Sequence, residues 1–468
     1  MSNQKGKVAV ILDNEIYCRN YLTTNALSKF AENNKVTIFA PYALEKLVKE
    51  HSIKEGFDFV GYEYSAALNK LARLVNELSL FGNIDLSSDF RFRVKRKYNT
   101  SPHLRDGRLN ANKLWVRLKS FVLKSIYTIL AQKLSRRIIN NYARKKLQHS
   151  SPIQKCLLLG DYDIVICVSS AADTPSIDIA AYAQMQTRKT TTILVIDNWD
   201  NLSSKYVMAF HPDHIVCWGE QSRQHGISIH NIQHTRITSI GTARFEGYFD
   251  RDLIENTKVT FSMPKSYVLF CGAQTYFDET KPLKLVDEYL KKHHPGTVLI
   301  YRPHPWREQL GLKLEVPEGI MIDPSLSVQP ETNSSILLPS TRFYHYVITN
   351  AKLVIGGATS MIAEVALMRK PYLLLAHNDG NPIQSPMERF TKSLHQALTP
   401  ALNNVQICFD TDTLGEDIEN LISRSVGKTD HVLDQIISPK TSQYSRHLFE
   451  VSWKAHTKRL KQNALQKA

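Results

Sequence analysis

Patterned cysteine is the first thing this chain lacks. Its six cysteines, at positions 18, 156, 167, 217, 271 and 408, are scattered with no CxxC pair. That spacing excludes a structural zinc cluster and a disulfide framework, and it points to a reducing cytoplasm. Long apolar runs are missing as well. No stretch approaches the roughly 18 consecutive apolar residues of a spanning helix, so any membrane contact is expected to be peripheral. The apolar run at residues 8–12 is only five long and ends on Asp13. It is too short for a secretory signal and reads as a first buried strand. Internal repeats and low-complexity tracts are absent too, which excludes solenoids. What is present is ordinary: 43 % apolar and 22 % charged residues indicate a soluble globular protein. A length of 468 residues suggests two sizeable domains.

Acids are scarce in one place. Between positions 91 and 148 there are 17 Lys and Arg against a single acid, Asp106, while the rest of the chain has 42 Lys and Arg against 43 Asp and Glu. The whole net charge of +15 therefore sits in that segment. Within residues 112–147, Leu114, Leu118, Phe121 or Val122, Ile126, Ile129 or Leu130, Leu134 and Ile138 recur at spacings of three to four. The spacing predicts an amphipathic helix with a basic polar face. Three roles fit it. It covers a sheet of its own protein, or it lies on an anionic membrane surface, or it meets nucleic acid. The last is disfavoured, because no aromatics are interleaved as stacking platforms.

Strand and helix signals alternate in two series. Residues 8–12, 36–40, 163–170, 191–197, 214–218 and 235–241 are short, β-branched-rich runs, and a second set follows at 266–272, 297–303, 319–323, 352–357 and 371–376. Continuous apolar runs of this kind fit parallel sheets covered on both faces. The expected fold class is α/β, with two facing Rossmann-like doubly wound domains and a basic helical insertion in the first. We place an N-terminal domain over 1–250, with the basic segment at 91–148, and a C-terminal domain over 262–435. A last basic helix over 440–468 fits no βα pattern.

In such folds ligands bind outside the carboxyl ends of the strands, so the residues after each strand are the candidates. After 352–357 comes Gly356-Gly357-Ala358-Thr359-Ser360 and then a helix pattern. The glycines allow close backbone approach, and the freed amides with the Thr359 and Ser360 hydroxyls suit a phosphate. Glu364 lies one turn further on the same face, where a carboxylate suits ribose hydroxyls. A tight turn with an N-cap explains the same residues. In YRPHPW, Pro303 and Pro305 stiffen the backbone around Arg302 and His304, and Arg307 follows. Guanidinium and imidazole suit a diphosphate, and His304 can protonate a leaving phosphate near neutral pH. In CGAQ, Gly272, Ala273 and Gln274 leave room for a nucleotide. In VIDNWDN, Asp197 and Asp200 suit a general base, with Asn198, Asn201 and Trp199 beside them. Asx turns account for the Asp and Asn residues, but not for an exposed Trp. Asp13, Asn14, Arg244 and Glu246 are weaker candidates.

The succession CGAQ, YRPHP and GGATSMIAEVALMRKPYLLL resembles the C-terminal half of GT-B glycosyltransferases of bacterial surface polysaccharide synthesis. The pattern is similar to sialyltransferases, Kdo transferases and CDP-glycerol glycerophosphotransferases, which carry an HP motif followed by a Ser/Thr motif. The resemblance implies that His304 contacts or protonates the donor phosphate, that Thr359 and Ser360 hold it, and that Glu364 lies near the ribose. The acid motif of the sialyltransferases is missing, and so is the Asp-bearing helix start of the glycerophosphotransferases. The expectation is a cytoplasmic transferase, peripheral on the inner face of the membrane, acting on a lipid-linked or polysaccharide acceptor. Its donor is a nucleotide-activated sugar, CMP- or CDP-linked among the options, with no metal and no further cofactor. A polyol-phosphate transferase, a nucleotide-sugar 2-epimerase and a basic nucleic-acid- or membrane-binding protein are the alternatives.

Overall fold

The computed structural model describes residues 6–49, 56–63, 66–95, 113–150, 161–169, 190–205, 207–250, 259, 261–273, 279–304, 316–327, 341–380, 385–424 and 430–465. The chain divides into two compact units, one made of Met1–Glu246 with Ser438–Ala468, the other of Gly247–Ile437.

The first unit holds a seven-stranded sheet built from β1 (Gly6–Leu12), β2 (Asn34–Pro41), β3 (Asp58–Tyr62), β4 (Ile164–Ser169), β5 (Thr191–Ile196), β6 (His214–Cys217) and β7 (Ile237–Ser239), in the order β3-β2-β1-β4-β5-β6-β7. All neighbours are parallel, with Val10 opposite Ile38 on one side and Ile166 on the other. Alternate residues of each strand enter opposite faces, as a period of two requires. Val8, Val10, Leu12, Ile38 and Ile166 pack on one side, and Ala9, Ile11, Phe39, Val165 and Leu194 on the other. Both faces are covered, which is why the strands read as unbroken apolar runs.

The last helix, Tyr444–Leu465, belongs to this unit although it follows the second one in sequence. Tyr444 and Leu448 are fully buried in the first core. The Tyr444 hydroxyl pairs with that of Tyr21 at 2.8 Å, and His456 Nδ1 meets Thr191 Oγ1 at 3.0 Å. Its burial explains why this helix matches no βα repeat: it closes a core begun more than 400 residues earlier.

The basic segment forms two helices, Lys113–Leu130 and Lys133–Ser150, rather than one. Tyr127 stacks on Phe81 of helix Ala66–Phe81, ring centroids 5.5 Å apart. Ser120, Lys124, Ser125, Tyr127 and Leu130 are the half-buried residues among 118–130, while Leu118, Phe121, Val122, Ile126 and Ile129 stand exposed. Leu134, Ile138 and Tyr142 are exposed on the second. The apolar stripe that the spacing predicts thus faces outward. Among the described residues no helix is long and apolar enough to cross a membrane.

The second unit holds six strands, β8 (Tyr267–Cys271), β9 (Val298–Arg302), β10 (Met321–Ile322), β11 (Leu353–Gly356), β12 (Tyr372–Leu375) and β13 (Val405–Cys408), in the order β10-β9-β8-β11-β12-β13. Val268, Phe270, Leu299, Tyr301, Leu353, Ile355 and Leu373 pack with Leu283, Val286 and Leu290 of helix Thr280–His293. Both sheets are doubly wound, so each has a point where the strand order reverses. That point lies between β1 and β4 in the first and between β8 and β11 in the second.

Candidate functional site

The switch point of the second unit gathers three of the sequence-predicted corners. Gly272 follows β8, His304 follows β9, and Gly357 to Ser360 follow β11, on three adjacent strands that all run the same way. At Gly272 a Cβ would lie 3.0 Å from Glu279 Oε2 and from the Tyr301 hydroxyl, and 3.1 Å from the His304 amide nitrogen. Gly272 N donates to Arg302 O at 2.8 Å. At Gly356 a Cβ would stand 2.6 Å from the Tyr372 hydroxyl and 2.9 Å from Cys271 O. These two glycines let neighbouring strand ends close up without side chains between them.

Helix Met361–Leu367 starts directly after this turn. Thr359 Oγ1 accepts from Met361 N at 3.3 Å, and the Tyr372 hydroxyl donates to Gly357 O at 2.8 Å. Ser360 occupies the cap position, but its side chain makes no capping bond. Thr359, Ser360 and His304 are half-exposed and accessible to a ligand.

Two expected ligand residues turn inward instead. Arg302 is 4 % exposed; its Nε is ion-paired with Asp323, and its Nη2 donates to Ser325 Oγ at 2.9 Å. The guanidinium lies 4.0 Å over the Tyr344 ring. Burial alone would lower its pKa, but Asp323 and Tyr344 more than compensate and hold it protonated. The alternation along β9 explains the inward turn: an odd shift of one residue separates Tyr301 from Arg302, and both side chains are buried. Arg302 is thus anchored at the strand end through Nε and Nη2, while its Nη1 is buried with no hydrogen-bond partner among the described residues. Glu364 is fully buried and accepts from the Tyr248 hydroxyl. The Tyr248 ring in turn lies 5.3 Å from that of His345. Gln274, Pro305 and Arg307 lie outside the described residues.

Glu279 was not singled out in the sequence. Fully buried, it accepts from Ala273 N and from the Tyr301 hydroxyl, both at 2.6 Å, and so ties the ends of β8 and β9 to the start of helix Thr280–His293. The available signal was a carboxylate placed just before a helical pattern.

In the first unit, Asp197 follows β5 and is almost buried. Its carboxylate accepts from Asn20 Nδ2 at 3.2 Å, and its carbonyl accepts from Trp218 Nε1 at 2.9 Å. Burial raises its pKa, an effect that the Asn20 hydrogen bond, Arg244 and Arg19 only partly offset. A carboxyl so placed is a stronger base than an exposed one. Asp200 accepts from Ser204 Oγ at 2.9 Å, with Lys205 Nζ at 3.9 Å. Trp199 is buried, not exposed as the sequence suggested, so it speaks for packing and not for a ligand platform. Asn14 caps helix Glu15–Leu22 through Tyr17 N at 3.0 Å, and Glu246 accepts from Ser445 N at 3.0 Å.

No family model matches the chain, and no curated protein matches it. Among solved structures it is similar to the UDP-GlcNAc 2-epimerase of Methanocaldococcus jannaschii, at 11 % identity over 96 % of this chain and 99 % of that one, with a TM-score of 0.51. It is similar to the UDP-N-acetylglucosamine 2-epimerase of Rickettsia bellii as well, at 11 % identity over 97 % of each chain and a TM-score of 0.51. The chain has the GT-B fold. In this GT-B chain each domain carries one doubly wound sheet, and the general rule for such sheets puts ligands at the switch points just described.

Proposed function

We propose that this GT-B protein is a nucleotide-sugar-dependent glycosyltransferase whose second unit holds the donor. The observation that carries the reading is the crevice after β8, β9 and β11, where Gly272, His304 and the Gly357 to Ser360 helix start converge. The amides and hydroxyls at that helix start suit a phosphate, because a helix N-terminus carries partial positive charge. His304 donates to the donor phosphate and stabilises it as it departs. In the transfer step an acceptor hydroxyl attacks the anomeric carbon and the bond from that carbon to the phosphate oxygen breaks. The hydroxyl proton passes to a general base. The acceptor is a growing surface polysaccharide or a lipid-linked glycan.

A second reading, nucleotide-sugar 2-epimerisation, is favoured by the likeness to UDP-GlcNAc 2-epimerases over nearly the whole chain. It uses the same donor crevice. The two separate by product. Transfer releases free nucleotide only when an acceptor is present, whereas epimerisation needs no acceptor and returns a sugar nucleotide altered at one carbon.

Calorimetry with a panel of UDP-, CDP-, CMP- and GDP-linked sugars tests the shared part. One member is expected to bind, with His304→Ala lowering turnover by about 10²–10³ while the fold is kept. Absence of binding by every member, or turnover unchanged in His304→Ala, rejects the crevice as the site.

A further inference from the structure

Helices of globular proteins normally turn their apolar stripe toward their own core. The two helices of residues 113–150 do the reverse. On the first, Tyr127 stacks on Phe81 of helix Ala66–Phe81 and the half-buried residues are the mostly polar Ser120, Lys124, Ser125 and Tyr127 with Leu130, whereas Phe121 is 67 % and Ile129 66 % exposed. On the second, Leu134 is 72 % exposed, with Ile138 one turn beyond it and exposed as well. Scattered apolar side chains on a surface need no explanation, but stripes at helical spacing on two successive helices do.

Charge indicates what covers them. Residues 113–150 contain ten Lys and Arg and no acid. Lys119, Lys133, Arg137 and Lys145 are exposed on the same helices. A second copy of the chain would set this cationic surface against its like. Nucleic acid would satisfy the cations but not the aliphatic stripes. An anionic bilayer satisfies both, its acyl region taking the apolar side chains and its headgroup phosphates the cations. We propose that the helical pair of residues 113–150 is a docking surface for anionic membranes, on which the protein lies without spanning. This stands apart from the transferase reading, since lipid binding is measured without any substrate.

The test is flotation of the full-length protein with vesicles of phosphatidylcholine and phosphatidylglycerol, compared with phosphatidylcholine alone. The protein is expected to float with the anionic vesicles and to be released by high salt. Arg137→Glu with Lys145→Glu is expected to weaken binding at least about 25-fold, at roughly fivefold per lost charge. Arg136 is half-buried, which makes it a poorer target. Phe121→Ser with Ile129→Ser and Leu134→Ser is expected to abolish flotation although every cation is kept. Circular dichroism of both variants checks folding, and the salt response of the unmodified chain is a readout that needs no substitution. Failure of the unmodified protein to float overturns the proposal, as does equal binding by folded variants. So does light scattering that finds a dimer dissolved by the serine substitutions, or RNA binding with a steep salt slope in place of vesicle binding.

Discussion

His230 is buried with both ring nitrogens engaged: Met208 N donates to Nδ1 at 3.1 Å, and Nε2 lies 2.8 Å from Leu202 O. That pairing holds the neutral ring, because Nδ1 must accept. Burial lowers its pKa to about 4, and burial with Lys458 and Arg236 nearby does the same to His214. The unfolded chain therefore binds protons that the folded chain refuses between about 6.5 and about 4. Stability is full above that window and falls as pH drops through it, by on the order of 3 kcal/mol per histidine at full titration. Urea unfolding at a series of pH values checks this, and His230→Gln, while less stable at neutral pH, is expected to show a shallower slope. Asp197 has the opposite sign. Its raised pKa means that stability is lost as pH rises through the window above the usual 3.8. Asp197→Asn is thus expected to raise the urea midpoint at neutral pH. A variant that is less stable than the parent at neutral pH contradicts the reading of a carboxylate disfavoured by burial.

At the scale of elements, the strand ends decide the site. Gly356 closes β11 so tightly against Tyr372 and Cys271 that an added methyl must push one of them. Gly356→Ala is expected to cost about 1–3 kcal/mol in denaturant unfolding, with nucleotide affinity falling alongside. The corresponding control is Gly296→Ala, at a position with φ +93 and nothing within 4 Å of the new Cβ; it carries only backbone strain and should leave affinity unchanged. The eleven strand runs read from the sequence each contain a strand: the central ones because parallel strands covered on both faces need unbroken apolar residues, although the edge strand β10 leaves Met321 and Ile322 exposed. β3 and β13 escaped notice. The first, DFVGY, mixes an exposed acid and a glycine with two half-buried apolar residues and only one buried side chain, Tyr62, and the second, VQIC, is four residues long with a polar side chain.

At the scale of the whole molecule, the first unit is discontinuous: its core is completed by residues that come after the entire second unit. Tyr444 and Leu448 pack among Val8, Val10, Leu12 and Tyr21. Leu448→Ala is expected to cost about 2–5 kcal/mol in the transition that reports the first unit. Ending the chain after Ile437 would uncover that whole face, and loss of a cooperative transition for the first unit is the expected calorimetric result. Retention of both transitions would show the last helix to be an accessory.

The sequence by itself determined the α/β class, the doubly wound pair of domains and the corners to inspect, because burial on both faces of a parallel sheet forces apolar runs and leaves ligand residues just beyond them. It put Gly272, His304, Gly357, Thr359 and Ser360 just after their strands for the same reason, since backbone openness and strand-end position are local properties. Only the tertiary structure decided which way side chains point. Arg302 and Glu364 turned inward to Asp323 and Tyr248, partners 21 and 116 residues away. Glu279 became the tie between two strands, and the stripe on residues 113–150 faced out. Helical spacing states that one face is apolar; it does not state which side of the helix the rest of the chain occupies.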